Sequence, residues 1–194
     1  MTAMAARDVR SRLVAATAEL IDEHGPLRVR VDEVAERAGC SRATLYRHVA
    51  DKDELVRDVI VGRISVMADI VARQTEGFTD PSERLAQAML LFSDAVRSEQ
   101  WYRALQEHEG GSATNALVRI GGGLEAMITM ITPLIDKALT DLRNAGHLRE
   151  DVATHDATEW LIGIQLAILE PFTDHTREQR LAMLKRYALF PIIK

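Results

Sequence analysis

The chain has 194 residues, 27% of them charged and 47% apolar, which is enough for one large or two small domains around a buried core. Its single cysteine, Cys40, excludes an internal disulfide, and its net charge of −5 argues against indiscriminate coating of nucleic acid. The start MTAMAARDVRSR is polar, and the longest apolar run, Trp160 to Leu169, is interrupted by Gln165 and too short to span a bilayer, so a cytoplasmic protein with no membrane association is expected.

Val9, Leu13, Ala16 and Leu20 stripe a first helix that stops at His24, before Gly25 and Pro26. Val31, Val34, Ala35 and Ala38 then fall at i, i+3, i+4 and i+7, predicting a short helix closed by Gly39 in the left-handed region. Ser41 follows as an N-cap whose hydroxyl can accept from the Thr44 amide. Helix, glycine turn and helix make a helix-turn-helix pattern. At about 100° per residue, Leu45 and Val49 share the inner face of the second helix. Ala43 and Arg47 point away from it, flanked by Thr44 and Tyr46, and Arg42 lies at the tip.

That outer face suits a DNA major groove. Arginine can bridge two guanine acceptors, threonine can meet a thymine methyl, and a tyrosine hydroxyl can donate to phosphate. Asp51 with Glu54 reads as a capping box, placing Lys52 in the first turn of the next helix, where a cation opposes the helix dipole. Arg42 sits as awkwardly, and an anionic partner shared by the two helix ends would relieve both. The charge is divided accordingly: residues 1–50 hold eight arginines, no lysine and seven carboxylates, a net +1, leaving −6 for the remainder.

With these residues in view, VAERAGCSRATLYRHVADKDEL resembles the DNA-binding segment of the TetR family of transcriptional regulators, and LVAATAELIDEHG resembles that family's first helix. The resemblance runs from about Leu13 to Leu55. It implies that Arg42, Ala43, Thr44, Tyr46, Arg47, His48 and Lys52 occupy positions that meet DNA, with Thr44, Tyr46 and Lys52 on phosphates; Arg42 and Arg47 are the candidates for base readout. One departure is Arg30, where the family commonly places a capping threonine or serine. The fold implied is all-α, with a three-helix DNA-binding domain over residues 1–54 and a helical ligand-binding and dimerisation domain over 55–194.

Beyond Asp51 the periodicity predicts a long helix through Leu55, Val59, Ile60, Ile64, Met67 and Val71, and another carrying Leu85, Met89, Phe92 and Val96. A short helix or turn covers Trp101 to Glu109, followed by the loop GGSATN. Gly121 to Gly123 lack the context of a phosphate-cradling loop and read as a helix junction. Pro133 should kink its helix or mark its first turn. The segment from Thr158 to Leu169 is apolar on nearly every side and must be covered on two faces. Trp160, Ile164, Ile168, Leu181, Leu184 and Ala188 are therefore assigned to a homodimer interface, burial within one chain being the alternative.

The resemblance also implies a small-molecule cavity in the helical body. Met89, Phe92, Trp101, Tyr102, His108, Met127 and Met130 are the lining candidates for an apolar or amphipathic effector, although methionine and phenylalanine at helical spacing also serve as core filler. The six histidines are scattered, with no HExxH and no paired cysteines, so neither metal nor cofactor is expected. No catalytic triad can be proposed from spacing. The expected function is a ligand-released repressor binding a pseudo-palindromic double-stranded operator. The alternatives are a ligand-independent DNA-binding dimer and a small-molecule enzyme.

Overall fold

The computed structural model describes residues 2–108, 112, 115, 117–118, 120–169 and 175–194, with side chains described from Asp8 onward except at His108. Among these residues the regular structure is helical, with one isolated antiparallel bridge between Leu148 and Ile193. The helices are α1 (Thr2–His24), α2 (Val31–Arg37), α3 (Arg42–Tyr46), α4 (Lys52–Thr75), α5 (Pro81–Ser98), α6 (Gln100–His108), α7 (Gly123–Asn144), α8 (Thr154–Leu169) and α9 (Arg177–Met183). A 3-10 turn, Pro26–Arg28, follows α1, and α9 widens into a π-helical stretch, Leu184–Leu189.

The chain forms two compact units, each built from separate stretches. The first comprises residues 1–63 and 98–126, the second residues 64–97 and 127–194. Helices α4 and α7 run unbroken from one unit into the other. In the first unit, Leu13, Leu20 and Ile21 of α1 join Val34 of α2, Leu45 of α3 and Leu55 and Val56 of α4 in burial. Helix α6 lies against α1 and the 3-10 turn, adding Trp101, Tyr102 and Leu105 to that core. Gly25 allows this approach: its φ is +83°, and a Cβ there would lie 2.9 Å from the Ala104 Cβ.

The turn after α2 closes as the sequence predicts. Gly39 has φ +64°, its amide donates to the Glu36 carbonyl at 3.0 Å and the Cys40 amide to the Ala35 carbonyl at 2.9 Å, the paired bonds of a Schellman motif. The start of α2 lacks a side-chain cap, because Arg30 occupies the N-cap position and has no acceptor to offer.

The second unit buries Leu85, Leu90 and Val96 of α5, Leu139 and Leu142 of α7, Leu161 and Leu169 of α8, and Leu184 and Leu189 at the C-terminal end. Pro133 lies inside α7 rather than at its start. It is exposed, on the solvent side of the helix, which continues for eleven residues beyond it. Charged contacts tie α5 to the C-terminal helix: Arg180 meets Asp94 at 2.5 Å, Arg177 donates to Gln87 at 2.9 Å, and Lys185 pairs with Glu83.

Candidate nucleic-acid interface

Helix α3 is one and a half turns long, and local bonds define both its ends. Ser41 is extended at φ −80° and ψ 157°, and its Oγ accepts from the Thr44 amide at 3.1 Å. The amides of Arg47 and His48 bond back to Thr44 and Leu45 at 3.2 and 2.8 Å, tightening the last turn. Leu45 is fully buried and Val49 nearly so, whereas Arg42, Ala43, Tyr46 and Arg47 are exposed and Thr44 and His48 half-buried. The structure therefore gathers the proposed DNA-contact residues of α3 on one open face above a leucine anchor.

The polar groups of that face are already oriented. Arg42 Nη1 lies 3.0 Å from Asp32 Oδ1 of α2. Arg47 Nη2 donates to Thr44 Oγ1 at 3.1 Å, and Thr44 Oγ1 shares a 3.0 Å hydrogen bond with Ser41 Oγ. Lys52, in the first turn of α4, holds its Nζ 3.2 Å from Asp53 Oδ1.

Behind the face is a network that local sequence patterns do not reveal. Arg10 of α1 donates to the His48 carbonyl at 2.9 Å, to Glu54 Oε1 at 2.9 Å and to Asp58 Oδ2 at 2.6 Å. Glu54 Oε2 accepts from the Ala50 amide at 2.7 Å, while Asp51 Oδ1 accepts from the Glu54 amide at 2.8 Å. The expected capping box is thus half formed: Asp51 caps, but Glu54, drawn toward Arg10, takes the amide one residue earlier. The Ala50 amide, followed by Arg10, holds the Glu54 carboxyl below its ordinary range. The only sequence sign of this network is the rank of charges at Arg10, Glu54 and Asp58 on otherwise amphipathic helices.

At the assigned dimer residues, Trp160 is exposed and its Nε1 donates to the Ala188 carbonyl at 2.8 Å, while Ile164, Ile168 and Leu181 are half-buried. Leu184 and Ala188 are buried within the chain, on the side of the final helix turned toward the core. Tyr187 and Phe190, unassigned from sequence, are the open aromatic groups there, 60% and 71% exposed.

The expected effector residues fall in both units. Trp101 and Tyr102 are 1% exposed, edge to face at 5.9 Å, in the core of the first unit, because α6 packs on α1. Met127 is buried, Met130 is half-buried, and the His108 side chain lies outside the described residues. Met89 and Phe92 do line a cleft of about 380 Å³ in the second unit, formed by α4, α5 and α7 with Gln165 of α8. Gln165, also missed as a site residue, had a sequence signal as the polar interruption of the apolar run.

Comparison with known proteins agrees with this geometry. Residues 13–59 match the family model described as bacterial regulatory proteins, tetR family. The HTH-type transcriptional activator FasR of Mycolicibacterium smegmatis is 27% identical over 129 residues, covering 66% of this chain and 59% of that relative, so the chain spans about three-fifths of its length. Among solved structures, RolR in complex with the ligand resorcinol superposes with a TM-score of 0.74 at 20% identity, covering 94% of this chain and 89% of the other. The repressor QsdR of R. erythropolis gives 0.65 at 21%, covering 91% and 92%. At such identities the structural likeness speaks for the fold.

The all-α fold and its capped, outward-facing α3 give the N-terminal segment the architecture of a helix-turn-helix. Residues 13–59 are similar to the tetR family of bacterial regulatory proteins.

Proposed function

We propose that the chain is a ligand-responsive, sequence-specific DNA-binding regulator that represses transcription as a two-fold dimer on a pseudo-palindromic operator. The observation that carries the reading is α3: a Ser41 cap and a buried Leu45 hold Arg42, Thr44, Tyr46 and Arg47 on an open face. A face of two arginines with hydroxyl groups can meet base edges and phosphates together. Residues 1–54 act as the reading head and 55–194 as the responding and dimerising body. Lys52 and Tyr46 contact phosphate, Arg42 and Arg47 read bases, and the work is done on DNA in the cytoplasm.

Dimerisation supplies the second reading head, which a palindromic site requires at one helical turn or a multiple of it. The exposed Trp160, Tyr187 and Phe190 beside half-buried Ile164 and Ile168 support the C-terminal helices as the contact surface. The cleft lined by Met89 and Phe92 supports response to an effector. An effector releases DNA only if it binds one arrangement of the dimer better than the other.

The test is a footprint on the DNA beside the chain's own coding region, repeated across a compound library, with a transcription reporter on the same DNA. Protection of a palindromic site, released by one compound with a rise in transcription, is expected. A protein that binds random duplex as tightly as that site, or a reporter that falls when the protein is removed, overturns the reading.

A further inference from the structure

The cleft in the second unit has a chemistry more specific than its apolar walls. Val71, Leu85, Met89, Phe92, Ile131 and Ile135 surround it, and four charged groups reach its lining, two of each sign. Both cations are committed: Arg84 donates through Nε and Nη2 to the Phe78 carbonyl at 3.0 and 2.7 Å, and Lys137 Nζ lies 3.3 Å from Asp141 Oδ2. Glu76 and Asp141 match these cations in number and leave no net positive charge for a carboxylate, and burying an unpaired anion against such walls is costly.

Gln165 and Thr75, the uncharged polar side chains lining the cleft, have already spent their protons, Gln165 on Ser93 and the Met89 carbonyl. Ser93 Oγ donates to the Met89 carbonyl at 2.9 Å, so toward Gln165 it must accept, and Gln165 Nε2 donates to it at 2.9 Å. That bond fixes the orientation of the amide, whose second hydrogen is aimed at the Met89 carbonyl at 3.5 Å. The Gln165 carbonyl oxygen accepts from no group among the described residues, although the residue is 95% buried. Thr75, buried on another wall, donates its hydroxyl to the Val71 carbonyl at 2.9 Å and likewise presents only lone pairs.

A cleft with apolar walls, balanced charge in its lining and uncharged polar groups that only accept selects a neutral donor. We infer that the effector is an uncharged hydroxyl compound, an alcohol or a phenol on an apolar body, whose O–H donates to Gln165 Oε1. The assignment rests on the ligand-responsive reading above and specifies the chemistry of its site.

Calorimetry on the full chain with 1-octanol, 4-propylphenol, octanoate and octyl methyl ether tests it. The two hydroxyl probes should bind about tenfold more tightly than octanoate and roughly fivefold more tightly than the ether, which can accept but not donate. The tighter of the two distinguishes an aliphatic from an aromatic body. Gln165→Leu should erase the preference over the ether, and Ala138→Trp, filling the cleft, should remove all binding. If neither variant folds, the wild-type order alone decides. Octanoate binding as tightly as octanol, an ether equal to the alcohol, preference retained in a folded Gln165→Leu, or no probe bound overturns the inference. Octanol bound with DNA protection unchanged would overturn release by such compounds and leave the chemistry of the cleft standing.

Discussion

Arg42 and Arg47 illustrate how exposed side chains are held ready at little energetic expense. The pair between Arg42 and Asp32 has both partners more than half exposed, so it contributes little stability and yields readily to a phosphate or a base. Arg47 is oriented by a neutral hydroxyl instead. On an identified operator, Arg47→Ala should lose about 1–3 kcal/mol and relax preference at one base per half-site. Lys52→Ala should weaken all sequences alike and reduce the salt slope by about one. Binding titrations against single-base operator variants at several salt concentrations distinguish the two outcomes. Leu45→Ala acts differently: removing a fully buried side chain should cost about 2–5 kcal/mol in denaturant unfolding and abolish DNA binding through loss of the helix pair. The exposure of this face was legible because Gly39 and Ser41 are set by hydrogen bonds within five positions and Leu45 by its place in the helical period. Arg10 was not, since its partners are 38 to 48 residues away.

Among the elements, α1, α4 and the turn that follows α3 are joined through the Glu54 carboxylate. The Ala50 amide and Arg10 lower the pKa of Glu54, and Lys185 and Gln87 do the same for Glu83 in the second unit. A depressed folded-state value gives stability that is fully present above the unfolded value, about 4.3 for glutamate, and is lost as pH falls through the lowered one. Unfolding midpoints measured from pH 7 down to 3 should therefore fall below about pH 4.3. Glu54→Gln and Glu83→Gln should each be less stable at neutral pH and lose less on acidification. Hydrogen exchange should assign the first loss to the amides around α3 and the second to α5 and the C-terminal helix. Periodicity gave most helix positions because one buried stripe sufficed, as in α5. It could not reveal that Pro133 is tolerated inside α7, which depends on that residue facing solvent.

For the molecule as a whole, the open aromatic groups at the C-terminal end are the ones that the proposed dimer would cover. The π-helical stretch buries Leu184, Ala188 and Leu189 while turning Tyr187 outward, and Phe190 follows it into solvent. Phe190→Lys should convert a species of twice 21.6 kDa into a single chain by sedimentation and weaken palindromic DNA far more than a half-site. Wild-type protein sedimenting as a single chain at operator-binding concentrations would remove the dimer from the proposal. The lining of the cleft was the least legible part, because sequence proximity misleads where units interleave. Met89 and Trp101 are twelve positions apart, yet one lines the cleft and the other belongs to the core beneath Gly25.

That interleaving bears on how the molecule comes into being. The surface of α1 that receives α6 stays bare on a ribosome until residues 98–108 have emerged, and the stretch that completes the first unit ends only at residue 126. A nascent N-terminal third carries every side chain proposed to meet DNA but lacks the helix that packs on α1, so its core would be completed only later in synthesis.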